Sequence, residues 1–239
     1  LKVLLEHCRG EPMGWSAILK KIHASNEIFR LTNEESLILY DDAPLHQLMN
    51  AAQHRRNLHN PKNQVTYLVD RNINYTNVCT INCQFCSFYR PPGHEETYTQ
   101  TYDEIRNRIV ELEAIGGSRI LMQGGVNPEL DIDWYIGLIE VLRKHHSTIQ
   151  LDCFSPIEIE GIAEVTKSTT LEVLTRFKKA GMHGLPGGGA EMLVETVRTD
   201  VSPKKGHPDN WLRVMEEAQC LGLTTSATNV IGFGETNSN

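Results

Sequence analysis

Positive charge is in short supply in this chain: 23 Lys and Arg stand against 30 Asp and Glu, for a formal net charge of −7. That balance excludes a nucleic-acid or anionic-membrane surface as the principal partner, because both call for clustered cations. Nor does any apolar run approach the roughly 20 residues needed to cross a bilayer, and no signal peptide is visible. A disulfide framework is missing too: the 6 cysteines follow no such pattern, and closely spaced thiols suit a reducing interior, so the chain is expected in the cytoplasm. The triplet Gly187-Gly188-Gly189 lacks the Lys-Ser/Thr of a P-loop and the spacing of a dinucleotide fingerprint, which excludes phosphate cradling there. What remains is ordinary globular material, with 40% hydrophobic and 22% charged residues in 239, enough for one large domain or two small ones.

The cysteines are concentrated in one place. Cys79-Thr80-Ile81-Asn82-Cys83-Gln84-Phe85-Cys86 puts three thiols in one octet, spaced so that a short loop can wrap a single inorganic centre. Three thiolates hold three irons of a cubane 4Fe–4S cluster and leave the fourth iron open. A structural zinc site would want a fourth ligand at comparable spacing, and none follows: Cys153 and Cys220 are solitary, as is Cys8. An iron–sulfur electron carrier, the non-enzymatic reading, would normally close all four iron positions with protein ligands. Cys79, Cys83 and Cys86 are therefore the candidate metal ligands.

Before the octet, residues 1–64 read as helices and loops, with one amphipathic helix from Ala43 to Arg56 and scattered histidines. A strand-then-helix rhythm begins at Val65. Strands are expected at Val65–Val69, Ile73–Tyr75, Arg119–Met122, Ile149–Phe154, Met182–Leu185 and Thr225–Ile231. Capping boxes at Thr101-x-x-Glu104 and Thr169-x-x-Glu172 open helices with apolar faces Ile105, Ile109, Leu112, Ile115 and Leu171, Leu174, Phe177. Further helices bury Tyr135, Leu138, Ile139, Leu142 and Trp211, Val214, Met215, Ala218, Leu221. Alternation of this kind argues parallel βα units, and a TIM-type α/β barrel presents its site in the loops after the strands.

The octet has the C-x3-C-x-aromatic-C form and resembles the radical S-adenosylmethionine (radical SAM) enzymes. There the open iron is chelated by S-adenosyl-L-methionine, and one electron cleaves the sulfonium to methionine and a 5′-deoxyadenosyl radical. Flanking stretches narrow the likeness. Arg71–Val78, Ser87–Arg90, Gln123–Val126, Leu185–Glu191 and Ser202–Lys205 are most similar to the cyclic dehypoxanthinyl futalosine synthase family of menaquinone biosynthesis, over about residues 65–236. The resemblance implies a small-molecule substrate, dehypoxanthine futalosine, whose ribose C4′ loses a hydrogen before the carbon radical closes onto the benzoate ring. It also implies a one-electron donor of flavodoxin or ferredoxin type. Aminofutalosine synthase and the deazaflavin (FO) synthase subunits are the neighbouring possibilities.

By the same resemblance, Gln123-Gly124-Gly125 receives the methionine amino group, Phe85 packs near the adenine, and Gly232 belongs to the fifth-strand segment touching it. Read from the residues alone, the glycines also suit a tight turn with positive φ. Glu191 suits ribose hydroxyls or, equally, the first turn of a helix. Tyr89 and Arg90 either face a substrate or sit on a surface loop; Lys204 and Lys205 either bind a carboxylate or are a solvated pair. One departure stands out: many relatives carry His-Ala where this chain has Asp152-Cys153, so Asp152 must replace that histidine or the proton-handling role lies elsewhere. No catalytic base is assigned. Residue 1 is Leu, and only five barrel strands are counted against the eight a closed barrel needs. The expectation is thus an N-terminal helical segment, 1–64, and a partial radical SAM barrel, 65–239, stopping after its fifth strand.

Overall fold

The computed structural model describes residues 14–27, 29–62 and 64–239; Cys8 lies outside the described residues. Two compact units share the chain, one reaching to Tyr67 and taking in Thr236–Asn239, the other spanning Leu68–Glu235. Among the described residues of the first, helices α1 (Trp15–Ala24), α2 (Asn33–Asp42) and α3 (Leu45–His59) enclose a small core of Ile18, Leu19, Ile22, Leu39 and Ala51. Thr32 caps α2 in a reciprocal box with Glu35, whose buried carboxylate also takes Lys21 Nζ at 2.7 Å.

The second unit alternates strand and helix: β1 (Asp70–Asn74), α4 (Tyr102–Ala114), β2 (Arg119–Gln123), α5 (Ile132–His145), β3 (Gln150–Cys153), α6 (Pro156–Thr166), α7 (Thr170–Ala180), β4 (Gly184–Leu185), α8 (Glu195–Val201), α9 (Pro208–Cys220) and β5 (Thr224–Thr225). The strands hydrogen-bond in chain order, all parallel, as in a (β/α) barrel wall. Register pairs Asn74 with Gln123 and Met122 with Cys153, so the chain leaves the sheet at one common edge after each strand. Ile73, Ile120, Met122, Leu151 and Cys153 are buried with the helix faces, and an aromatic cluster of Tyr75, Tyr135, Phe154 and Phe177 sits among them.

Local chemistry accounts for the helix ends. Thr101 and Thr169 both form the reciprocal capping boxes with Glu104 and Glu172 that their spacing predicts. Gly181 stops α7 in the left-handed conformation, φ 116°, which costs a glycine nothing. Several expectations are corrected. Val65 and Tyr67 lie exposed before β1 rather than in a strand. Ile115 is 70% exposed because α4 ends at Ala114, and Leu171 is half-exposed because Val173 takes the inward position on α7. The run Thr225–Ile231 pairs only at its start; Val230 and Ile231 are exposed. Helices α6 and α8 were not expected. No helix among the described residues is long and apolar enough to cross a membrane.

Candidate active site

The cysteine octet leaves the sheet just after β1 and is pinched into a closed loop. At its neck Cys79 N–H donates to Arg90 O and Arg90 N–H to Asn77 O, both at 3.0 Å. The far side is tied down as well. Thr80 N–H donates to Val126 O at 3.1 Å, Gln84 N–H to Val201 O at 3.0 Å, and Lys204 Nζ to Thr80 O at 3.2 Å. Asn82, at φ 55°, makes the sharp bend in between. Held this way, Cys79, Cys83 and Cys86 all line one cavity of about 290 Å³.

The donor set fits an iron–sulfur group. The three thiols are free, and Cys79 Sγ accepts the N–H groups of Val126 at 3.3 Å and Ile81 at 3.4 Å. Burial pushes the Cys79 thiol up, opposed by those two amides, so the thiolate form waits on a cation beside it. Among the described residues no three His, Cys, Asp or Glu side chains converge as a single ion would require. Three thiols that share one cavity suit a cubane, where each thiolate takes its own iron.

The remaining walls come from the other loops at the same sheet edge. Gln123, Gly124 and Gly125 follow β2, and all three line the cavity. Neither glycine adopts a positive φ, so the tight-turn reading is replaced by close approach. A Cβ on Gly125 would stand 2.1 Å from Val78 O, and one on Gly124 would stand 2.7 Å from the Tyr75 ring. The glycines let the β2 loop lie directly on the neck of the cysteine loop. Gln123 Nε2 donates to Phe154 O at 3.3 Å.

Glu191 also reaches the cavity, with φ 45°, but it precedes α8 and is no first-turn carboxylate. Its Oε2 lies 2.6 Å from Lys205 Nζ, and that buried ammonium sits 5.2 Å from the centre of the Phe85 ring. Lys205 therefore departs from the solvated reading, being buried in the cavity wall, while Lys204 is exposed to solvent and reaches the cysteine loop through Thr80 O. Phe85 lines the cavity and stacks obliquely on Phe233 at 5.0 Å. Gly232 lies outside the cavity lining, and its N–H donates to Glu235 Oε1 at 2.6 Å; its segment approaches the site through Phe233 and through Val230, whose N–H donates to Glu191 O at 2.9 Å. Tyr89 lines the cavity, while Arg90 turns its guanidinium to Glu96 at 2.5 Å.

Two carboxylates differ from expectation. Asp152 is absent from the cavity lining; it accepts from Gln150 Nε2 at 2.9 Å and lies 3.6 Å from Arg119, so it is no substitute base at the cavity. Glu158, on the first turn of α6, is in the lining instead, and burial pushes it up to about 7 against the hydrogen bonds of Ser155, Tyr75 and Gly124. The signal for it was present as Ser155-x-x-Glu158, an N-cap spacing directly after a strand.

Two curated relatives are called cyclic dehypoxanthine futalosine synthase. One, from Halalkalibacterium halodurans, is 40% identical over 206 residues, covering 86% of this chain and 56% of its own. The other, from Streptomyces coelicolor, is 36% identical over 211 residues, 87% of this chain and 53% of its own. A third relative, the 5-amino-6-(D-ribitylamino)uracil–L-tyrosine 4-hydroxyphenyl transferase of Synechocystis, is 39% identical over 177 residues, 72% of this chain and 45% of its own. The chain thus spans about half the length of the curated relatives it matches. Among solved structures, the FeFe-hydrogenase maturase HydG shares the fold at TM-score 0.73 and 17% identity, over 98% of this chain and 50% of that one. Methylornithine synthase PylB does so at TM-score 0.68 and 17% identity, over 92% and 60%. The radical SAM superfamily pattern itself matches residues 73–239. That superfamily works with a 4Fe–4S cluster and S-adenosyl-L-methionine, and this chain belongs to it.

Proposed function

We propose that the protein to which this chain belongs cyclises dehypoxanthine futalosine to cyclic dehypoxanthinyl futalosine, in the route to menaquinone. The observation that carries this reading is the likeness to the H. halodurans futalosine enzyme, 40% identity sustained over 86% of the chain. Cys79, Cys83 and Cys86 hold the cluster, which with S-adenosyl-L-methionine supplies a primary carbon radical able to take a hydrogen from a sugar carbon. Gln123, Gly124 and Gly125 receive the methionine end, Phe85 flanks the adenine, and Glu191 takes ribose hydroxyls; Gly232 acts through the placement of Phe233. The chain's own task is positioning and the exclusion of water, which decide whether a radical abstracts from the intended carbon. Electrons come from a flavodoxin- or ferredoxin-type donor.

A second reading is favoured by a specific observation: the Synechocystis transferase retains 39% identity over 72% of the chain. Its chemistry would join a tyrosine-derived fragment to a ribitylaminouracil, as in a deazaflavin synthase subunit. Reconstituted, reduced full-length protein given each substrate separately decides between them. The cyclase reading expects a cyclised product two hydrogens lighter than dehypoxanthine futalosine, together with 5′-deoxyadenosine. 5′-Deoxyadenosine and coupled product from tyrosine and the uracil alone would overturn it.

A further inference from the structure

Glu158 lines the cavity, is 3% exposed, and has no part in the proposed reaction. Three donors converge on it from three different places in the fold. Tyr75 OH, just past β1, donates to Oε1 at 2.8 Å; Gly124 N–H, just past β2, donates to the same oxygen at 3.0 Å; Ser155 OH, the cap of α6, donates to Oε2 at 2.7 Å. Among the described residues no Lys, Arg or His pairs with it, and its titratable neighbours are Tyr75, Tyr135 on α5 and Cys153 at the end of β3. A buried carboxylate without a cation is expensive, and these donors are what stabilise it.

The bond to Gly124 is one of a series. Gly124 N–H goes to Glu158, Gly125 N–H to Thr76 O at 3.2 Å, and Val126 N–H to Cys79 Sγ at 3.3 Å. Three successive amides of the β2 loop are thus fixed, the first by a side chain and the last by a cluster ligand. Among the described residues the carbonyls of Gly124 and Gly125 accept no hydrogen bond, and both residues line the cavity. We propose that Glu158 is a positioning residue for the cosubstrate: by holding the Gly124 amide it fixes the backbone that receives the amino group of S-adenosyl-L-methionine. This rests on the assignment of Gln123–Gly125 to the methionine end made above, and it is independent of which substrate is cyclised or coupled.

Equilibrium binding of S-adenosyl-L-methionine to the reconstituted full-length protein tests it. Glu158→Asp keeps the charge but shortens the reach by one methylene. It is expected to weaken binding about 10-fold, the worth of one hydrogen bond to a charged group, raising KM for the cosubstrate with kcat for 5′-deoxyadenosine little changed. Glu158→Gln should restore affinity to within about 3-fold, since its carbonyl still accepts from Tyr75 and Gly124 while its amide donates to Ser155. Wild-type affinity in the folded Asp variant overturns the proposal. So does a Gln variant that binds normally but loses turnover, which would make Glu158 a proton-transfer group. Gly125→Ala, whose methyl meets Val78 O, separates this from the loop assignment. Affinity lost in Gly125→Ala yet kept in Glu158→Asp refutes the positioning role alone; affinity kept in both removes the loop assignment and the proposal with it.

Discussion

A residue's chemistry was most legible where spacing alone constrains it. The octet stood out in the sequence, because three thiols with three and then two residues between them on one loop can serve one centre. All three cysteines indeed line a single cavity, whereas Cys153 is buried beneath the sheet edge and Cys220 ends α9 on the surface. Cys→Ala at 79, 83 or 86 should each abolish stable iron retention after anaerobic reconstitution, and Cys153→Ala and Cys220→Ala should retain it; iron and sulfide assays read the difference. Glu158 was missed because burial, which makes it unusual, is a tertiary property. Its folded value of about 7 exceeds the ordinary 4.5, so the native state binds an extra proton between them. The contribution to stability is full below pH 4.5 and is lost as pH rises through 7, a span of about 3 kcal/mol at about 1.4 per unit. Glu158→Gln should therefore flatten the pH dependence of stability across that window and melt above wild type at pH 8. A denaturation series at pH 5, 6, 7 and 8 measures it.

At the scale of elements, capping boxes and glycine stops placed α4 and α7 within a residue, because those signals are local. The strands were harder. β4 and β5 are two residues each, too short for any period to register, and their existence depends on neighbouring strands. α8 carries little apolar periodicity, yet its Arg198 organises the cavity wall. Buried to 2% exposure, it donates to Gly189 O and Ala190 O at 2.8 Å and to Gly206 O at 2.9 Å, binding the glycine loop to the turn that carries Lys205. Arg198→Met would fill the space and abandon those carbonyls. A loss of about 3 kcal/mol is expected, as for a buried charged donor with several partners. Thermal melts should show it, and protease cutting near Gly187–Gly189 should increase while iron retention persists.

Over the whole molecule, the two units differ in what they carry. Every residue lining the cavity falls between Asn74 and Lys205, inside the second unit, and the sequence motifs cluster there for the same reason. The helical unit has a core of its own around Ile18, Leu19, Ile22, Leu39 and Ala51, which its sequence, without sharp motifs, did not disclose. Separate cores imply separable stability, since apolar burial acts over contact distances only. Ile18 and Ile109 are both fully buried, one in each core. Each Ile→Ala change should cost about 3 kcal/mol where it is made. For Ile18→Ala the loss should appear as faster amide exchange in α1 to α3, with iron content and exchange in β1 to β3 unchanged. For Ile109→Ala it should appear in α4 and the adjoining strands, with iron retention falling as that core loosens. Site-resolved hydrogen exchange on the two variants, alongside iron assays, distinguishes this from a single cooperative unit, in which Ile18→Ala would accelerate exchange throughout and release iron as readily as Ile109→Ala.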